Sequence, residues 1–307
     1  MAIKPGALLP GDTVGIVTLG SPLSAETIQA RIAYLQSLGL NVLLGRYVYS
    51  ANGYLAGTDR ERAEDFMSVY ADPRVKMILP TRGGVGVADI LPYLDYAFIR
   101  QNPKIVTGYS DITVLLNALY KLADLITFHS LLLIDFRPDT PPYNFEQFFT
   151  ATSSVAAPRP IANPPGIPLI GRVPGNVSGP IIGGNLTSLV GSLGTPFEVD
   201  TTGKILLLEE THEPVNTVYR YVEQLRLAGK LQACAGIVMG ECTNCEAAYG
   251  KTYEDLISEV IVPLGKPMLT NLASAHGLYK AAIPIGANVN LNASAATLTL
   301  LEAAVRY

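Results

Sequence analysis

Two rhythms of apolar and polar positions alternate over the first 130 or so residues. Short unbroken apolar runs read as strands: Thr13–Val17, 42–44, 77–79, 105–107 and 125–128. Between them, apolar residues recur at helical spacing. Residues 25–38 carry Ile28, Ile32 and Leu35 on one face, with Gly39 as a stop signal. Residues 59–70 are charged and amphipathic, with Phe66 and Met67 supplying apolar contacts, and residues 111–121 make a further helix. Continuous apolar strands between helices predict a parallel sheet covered on both faces.

Residues 151–180 break this rhythm. They hold seven prolines, a density that opposes helix and interior strand alike, and they read as a crossover between two domains, 1–150 and 181–307. Beyond them the pattern predicts helices at 186–193, 215–228 and 253–262 and strands at 204–208 and 236–239. The segments 288–292 and 297–302 alternate as an antiparallel hairpin does. The expectation is an α/β protein: an N-terminal parallel-sheet domain of Rossmann or flavodoxin type, and a C-terminal mixed α/β domain with antiparallel strands.

Composition narrows the function classes. The chain has 307 residues and is 49% hydrophobic, enough for two cores. The formal net charge is −4 and basic residues are scattered, so nucleic acid is not an expected partner. No apolar run approaches the roughly 20 residues that span a bilayer. The first residues also lack the basic start, apolar stretch and cleavage site of a signal peptide. The expectation is a soluble, cytoplasmic protein. The three cysteines read as reduced thiols. Cys242-Thr243-Asn244-Cys245 has zinc-ligand spacing, but Cys234 is the sole other cysteine, so the pair reads as structural or incidental.

Candidate chemistry begins at Gly108-Tyr109-Ser110-Asp111-Ile112-Thr113. A serine on a sharp strand-to-helix turn presents its oxygen beyond the carboxyl edge of a sheet, and the next amide lies at a helix N-terminus, ready to donate to an oxyanion. Only half of the G-x-S-x-G elbow pattern is present, because Ile112 takes the last position. Helix capping by Ser110 or Asp111 explains the stretch equally locally. A nucleophilic serine needs a base, and there are three histidines to search. His129 ends an apolar strand, His212 lies among polar residues, and His276 sits between alanine and glycine in a loop. Leu206-Leu207-Leu208-Glu209-Glu210 runs a buried strand into two acids. An acid there calls for a partner such as an imidazolium, unless the strand ends at Leu208 and both acids are solvated, which suits Glu210 better. Arg82-Gly83-Gly84-Val85-Gly86 follows another strand and allows close approach by a ligand. It lacks the G-x-G-x-x-G spacing of a dinucleotide site, so a nicotinamide pocket is weakly supported; an oxyanion amide fits better, and a plain tight turn is the alternative.

Taken in order, these stretches resemble the LD-carboxypeptidase family of serine peptidases. Ala56-Gly57-Thr58-Asp59 with Arg62-Ala63, the Arg82–Gly86 loop, Gly108–Thr113, Gly183-Gly184-Asn185-Leu186, Leu208-Glu209-Glu210, and Ala275-His276-Gly277 with Ile283–Gly286 follow the family's motifs along nearly the whole chain. The resemblance implies a Ser–Glu–His triad of Ser110, Glu209 and His276, with Glu210 the weaker choice of acid. It also implies oxyanion donors at the Asp111 amide and at Gly83 or Gly84, an active site between two domains, and a homodimer. Arg82 is either an anchor for the substrate carboxylate or part of a structural salt bridge. The implied substrate is a murein tetrapeptide, cut between an L-centre of diaminopimelate or lysine and terminal D-alanine, with no metal or organic cofactor. Relatives that confer immunity to a peptide–nucleotide antibiotic are longer and use a tryptophan; this chain has none. Val85, His129-Ser130, Asn216, Thr217 and Tyr219 depart from the family pattern outside the triad.

Overall fold

The chain forms two sheets in a computed structural model that describes residues 2–307. The strands are β1 (Thr13–Val17), β2 (Asn41–Leu44), β3 (Val75–Pro80), β4 (Ile105–Gly108), β5 (Thr127–His129), β6 (Arg159–Pro160), β7 (Ile170–Val173), β8 (Asn176–Asn185), β9 (Ile205–Thr211), β10 (Gly236–Thr243), β11 (Met268–Leu272), β12 (Ile283–Ile285), β13 (Asn288–Asn292) and β14 (Thr297–Leu300). The first sheet runs β12-β5-β4-β3-β1-β2 and is parallel except for β12. The second runs β6-β14-β13-β8-β9-β10-β11-β7, with β8 to β11 parallel and antiparallel strands at both sides. No helix among the described residues is long and apolar enough to cross a membrane.

Local chemistry accounts for most boundaries. The Ala25–Ser37 helix starts where Ser24 accepts a hydrogen bond from Thr27 N, and the Asp59–Ala71 helix starts at a reciprocal capping box of Thr58 and Glu61. The Ile112–Ala123 helix is buried on nearly every side, because it packs on β4 and β5 and also on β8 of the second sheet. The helix expected over 253–262 is α-helical for Tyr253–Leu256 only. A π turn and a 3₁₀ turn follow up to Leu264, where Pro263 lacks the N–H that would continue the ladder.

Three further expectations change. The proline-rich segment contains β6, β7 and half of β8 instead of being a strandless crossover. Its Pro180 lies inside β8 at a change of partner: Asn176–Pro180 pair with β13, and pairing with β9 begins at Ile181. The missing N–H falls at the seam between two ladders. β9 runs to Thr211 and so carries both acids within the strand. Cys242 and Cys245 are joined as a disulfide, not left as reduced thiols; the turn closing β10 brings their Cα atoms to 5.4 Å, inside bonding range.

The sheets are also interlocked. β12 follows the second-sheet strand β11 in sequence, yet it pairs with β5, Ile283 opposite His129 and Ile285 opposite Thr127. Gly286 N then donates to Ile181 O of β8. A side-chain tie reinforces this: Asn117 donates to Gly183 O (3.0 Å) and accepts from Gly183 N (2.9 Å). Asn117→Ala orphans that buried peptide pair and is expected to lower unfolding stability by about 3 kcal/mol, measured by urea titration. Burial beside Lys280 and His276 lowers the pKa of His129 to about 3. The unfolded chain therefore takes up a proton that the folded chain refuses between pH ~6.5 and about 3. Stability should fall across that window as pH drops, and His129→Phe should reduce the slope by about 1.4 kcal/mol per pH unit in acid unfolding titrations.

Candidate active site

Ser110 sits on the turn between β4 and the Ile112–Ala123 helix with φ of 62°. A left-handed backbone at a residue with a side chain costs about 1–2 kcal/mol and is the strained geometry that makes a serine elbow. Capping does not explain the residue. Asp111 is the N-cap, but its carboxylate bonds no amide of the first turn. Asp111 instead accepts from Val87 N (2.8 Å) and Ser188 Oγ (3.2 Å), tying the turn to the glycine loop and to the helix after β8. Burial pushes that carboxyl up, and these two bonds oppose the shift. The Asp111 N–H has no acceptor among the described residues.

The Arg82–Gly86 loop lies against this turn. A Cβ built on Gly83 would stand 2.6 Å from Ser110 Cβ, 2.8 Å from its Oγ and 3.1 Å from Asp111 N, so only glycine leaves the space beside the serine open. Gly83 O accepts from Ser21 N (3.1 Å); in a trans peptide the next N–H, that of Gly84, then points away from Ser21. Fully buried Arg62 holds the loop in place, donating to Leu19 O (2.5 Å) and Gly86 O (2.6 Å) and pairing with Asp89 at 3.5 Å. Arg82 is half-buried and forms no ion pair among the described residues, so the structural salt-bridge alternative is not seen.

Glu209 and Glu210 separate by strand alternation. Successive side chains leave β9 on opposite faces. Glu209 is 1% exposed and Oε2 meets His276 Nδ1 at 2.9 Å. Burial raises the Glu209 carboxyl above its ordinary range, and the bond to His276 opposes this. Glu210 is 2% exposed, which overturns the expectation of a solvated acid. Its carboxylate accepts from Asn185 Nδ2 (3.0 Å), Thr211 N (2.9 Å), Thr187 N (2.9 Å) and Thr187 Oγ1 (2.6 Å). It is a structural knot between β9 and the helix after β8.

His276 rides on a loop, 273–282, that leaves β11 and enters β12. Its one hydrogen bond among the described residues is to Glu209, which leaves Nε2 unengaged. The loop reaches the serine turn through Tyr109, whose ring meets the imidazole edge-on with centroids 5.0 Å apart. Ser110, Gly83, Asp111, His276 and Glu209 thus gather around one junction of the two sheets. The other histidines stay out of it in different ways. His129 is wholly buried on β5, and exposed His212 bonds Thr211 Oγ1 (2.7 Å) and Asn244 Nδ2 (3.1 Å). Tyr109 and buried Lys280 were missed in the sequence; the one available signal was a lone lysine leading the apolar Ala281-Ala282-Ile283.

Serine hydrolases use a strained serine turn with an imidazole held by a buried carboxylate; here Glu209 holds His276, and no hydrogen bond joins His276 to Ser110 among the described residues. Comparison with known proteins gives it a context. The LD-carboxypeptidase N-terminal domain profile matches residues 14–130, and the C-terminal domain profile matches residues 178–291. A probable murein peptide carboxypeptidase of Bacillus subtilis (strain 168) is 36% identical, covering 98% of this chain and 95% of its own. The crystal structure of a muramoyltetrapeptide carboxypeptidase from Oxalobacter formigenes is similar with a TM-score of 0.83 at 27% identity, covering 94% and 97% of the two chains. An MccF-like protein from Bacillus anthracis str. Ames is similar with a TM-score of 0.87 at 26% identity, covering 98% and 100%. With both of its domain profiles matched in order and a relative similar from end to end, the chain belongs to the LD-carboxypeptidase family.

Proposed function

We propose that this chain is a serine LD-carboxypeptidase that releases terminal D-alanine from the L-centre of diaminopimelate or lysine in murein tetrapeptides. The observation that carries the reading is the strained Ser110 turn facing a histidine loop whose His276 is bonded to buried Glu209. The murein peptide and muramoyltetrapeptide carboxypeptidases among its relatives support the substrate class.

In the proposed reaction His276 Nε2 takes the Ser110 proton while Nδ1–H donates to Glu209. Ser110 Oγ attacks the amide carbonyl, and the oxyanion accepts from the N–H groups of Asp111 and Gly84. His276 then returns its proton to the departing D-alanine amine. Water repeats the cycle on the acyl-enzyme and frees the tripeptide and Ser110. Arg82, without an ion pair among the described residues, is proposed to hold the terminal carboxylate. A second reading, an immunity hydrolase for a peptide–nucleotide antibiotic, draws on the MccF-like relative. Side-by-side assays of both substrates separate the two.

Release of D-alanine from a murein tetrapeptide should fall by about four orders of magnitude in Ser110→Ala and roughly a thousandfold in Glu209→Gln, which keeps the shape but not the charge. Glu210→Gln should keep kcat near wild type and lower the melting temperature. Equal release by wild type and Ser110→Ala removes the serine from the mechanism, and a Glu210→Gln loss as large as that of Glu209→Gln reverses the assignment of the acid. Gly83→Ala places a methyl against Ser110 Cβ and the Asp111 backbone, so the turn must shift; kcat should fall by about a hundredfold or more and the melting temperature should fall with it.

A further inference from the structure

Lys280 is 8% exposed at the end of the loop that carries His276. The residues after it, Ala281, Ala282 and Ile283, are fully buried, and a site chosen only for packing would take another apolar side chain. Its ammonium is instead spent on named partners. Nζ donates to Ala275 O and to Gly277 O (2.9 Å), the carbonyls on either side of His276. The same nitrogen lies 3.9 Å from Asp135 Oδ1 and 4.9 Å from the centre of the Tyr109 ring. The Tyr109 hydroxyl donates to Asp135 Oδ1 (3.2 Å), while its ring stands edge-on to His276.

Four groups from different parts of the chain therefore meet at one cation. Asp135 and Tyr109 belong to the first sheet's side of the junction, and Tyr109 adjoins Ser110. Ala275 and Gly277 belong to the histidine loop. Asn144 fastens the rest of that loop, donating to Leu278 O (3.1 Å) and accepting from Lys280 N (2.9 Å). Ala275 is held at φ of 53°, a backbone state that needs surrounding bonds to persist. An imidazole that must meet a serine proton has to be held within about half an ångström, and a loop joined at its ends alone does not achieve that.

We propose that Lys280 is a positioning residue: its ammonium pins the carbonyls flanking His276 to Tyr109 and Asp135, and so sets the base against the serine turn. The inference rests on the hydrolase reading above.

The test compares wild type, Lys280→Met and Ser110→Ala by D-alanine release and by hydrogen–deuterium exchange of residues 274–279. Methionine keeps the length of the side chain and removes the charge and donors. In Lys280→Met, kcat should fall by about 10- to 100-fold with KM within about threefold of wild type. Exchange at 274–279 should quicken by about tenfold or more, with β4, β5 and β9 unchanged. A wild-type kcat, a raised KM with kcat intact, or unaltered exchange of the loop overturns the proposal. Absence of release by wild type sinks the hydrolase reading alone, because exchange still decides the role of Lys280. If Lys280→Met does not fold, Asp135→Asn takes its place: faster loop exchange supports the anchor and unchanged exchange overturns it.

Discussion

The short antiparallel ladder between β12 and β5 is the constraint on which the candidate site depends. It takes a segment that has just left the second sheet and fixes it in the first. Without it the 273–282 loop would lose its fixed far end, and the side-chain contacts of Lys280, Asn144 and Tyr109 would have to relate His276 to Ser110 unaided. The Asn117–Gly183 bonds and the Gly286–Ile181 bond repeat the same message from two other positions, so the junction is held by backbone pairing as well as by apolar contact. The large core spans both sheets: Leu115, Ile181, Leu207 and Ile283 belong to one continuous buried cluster.

Around that junction, neighbouring residues of like chemistry are sent to unlike tasks by backbone geometry alone. Glu209 and Glu210 differ by one position in a strand, and this difference directs one carboxylate to an imidazole and the other to four donors. Ser110 and Asp111 differ by one position in a turn. One is strained and open; the other is anchored through its side chain, and its amide has no acceptor among the described residues. The two buried cations here are both met: Arg62 by carbonyls and Asp89, Lys280 by carbonyls and Asp135.

Much of this was legible in the sequence, for reasons that are local. β1 matched its apolar run from end to end, and the parallel first sheet followed from continuous apolar strands between amphipathic helices. The serine turn and the loop histidine stood out because small or polar residues interrupt apolar runs there. What escaped was non-local. A proline in β8 reads as a breaker until the strand's two partners are known, and the burial of Glu210 depends on Thr187 and Asn185, more than twenty positions earlier. Side-chain capping at this turn is absent because Asp111 holds the N-cap position and its carboxylate is claimed by Val87 and Ser188, residues no window around position 111 contains. The number of cysteines points to thiols, whereas the turn that closes β10 brings Cys242 and Cys245 within bonding range.

The placement of the histidine loop also bears on synthesis. A ribosome delivers Ser110 and its glycine loop well before Glu209, and His276 later still, and the loop is locked only once β12 docks on β5. Until then the emerging chain carries a serine turn with no proton acceptor beside it. β12 must therefore be made and paired with β5 before the proposed hydrolase can act, whatever has already folded ahead of it.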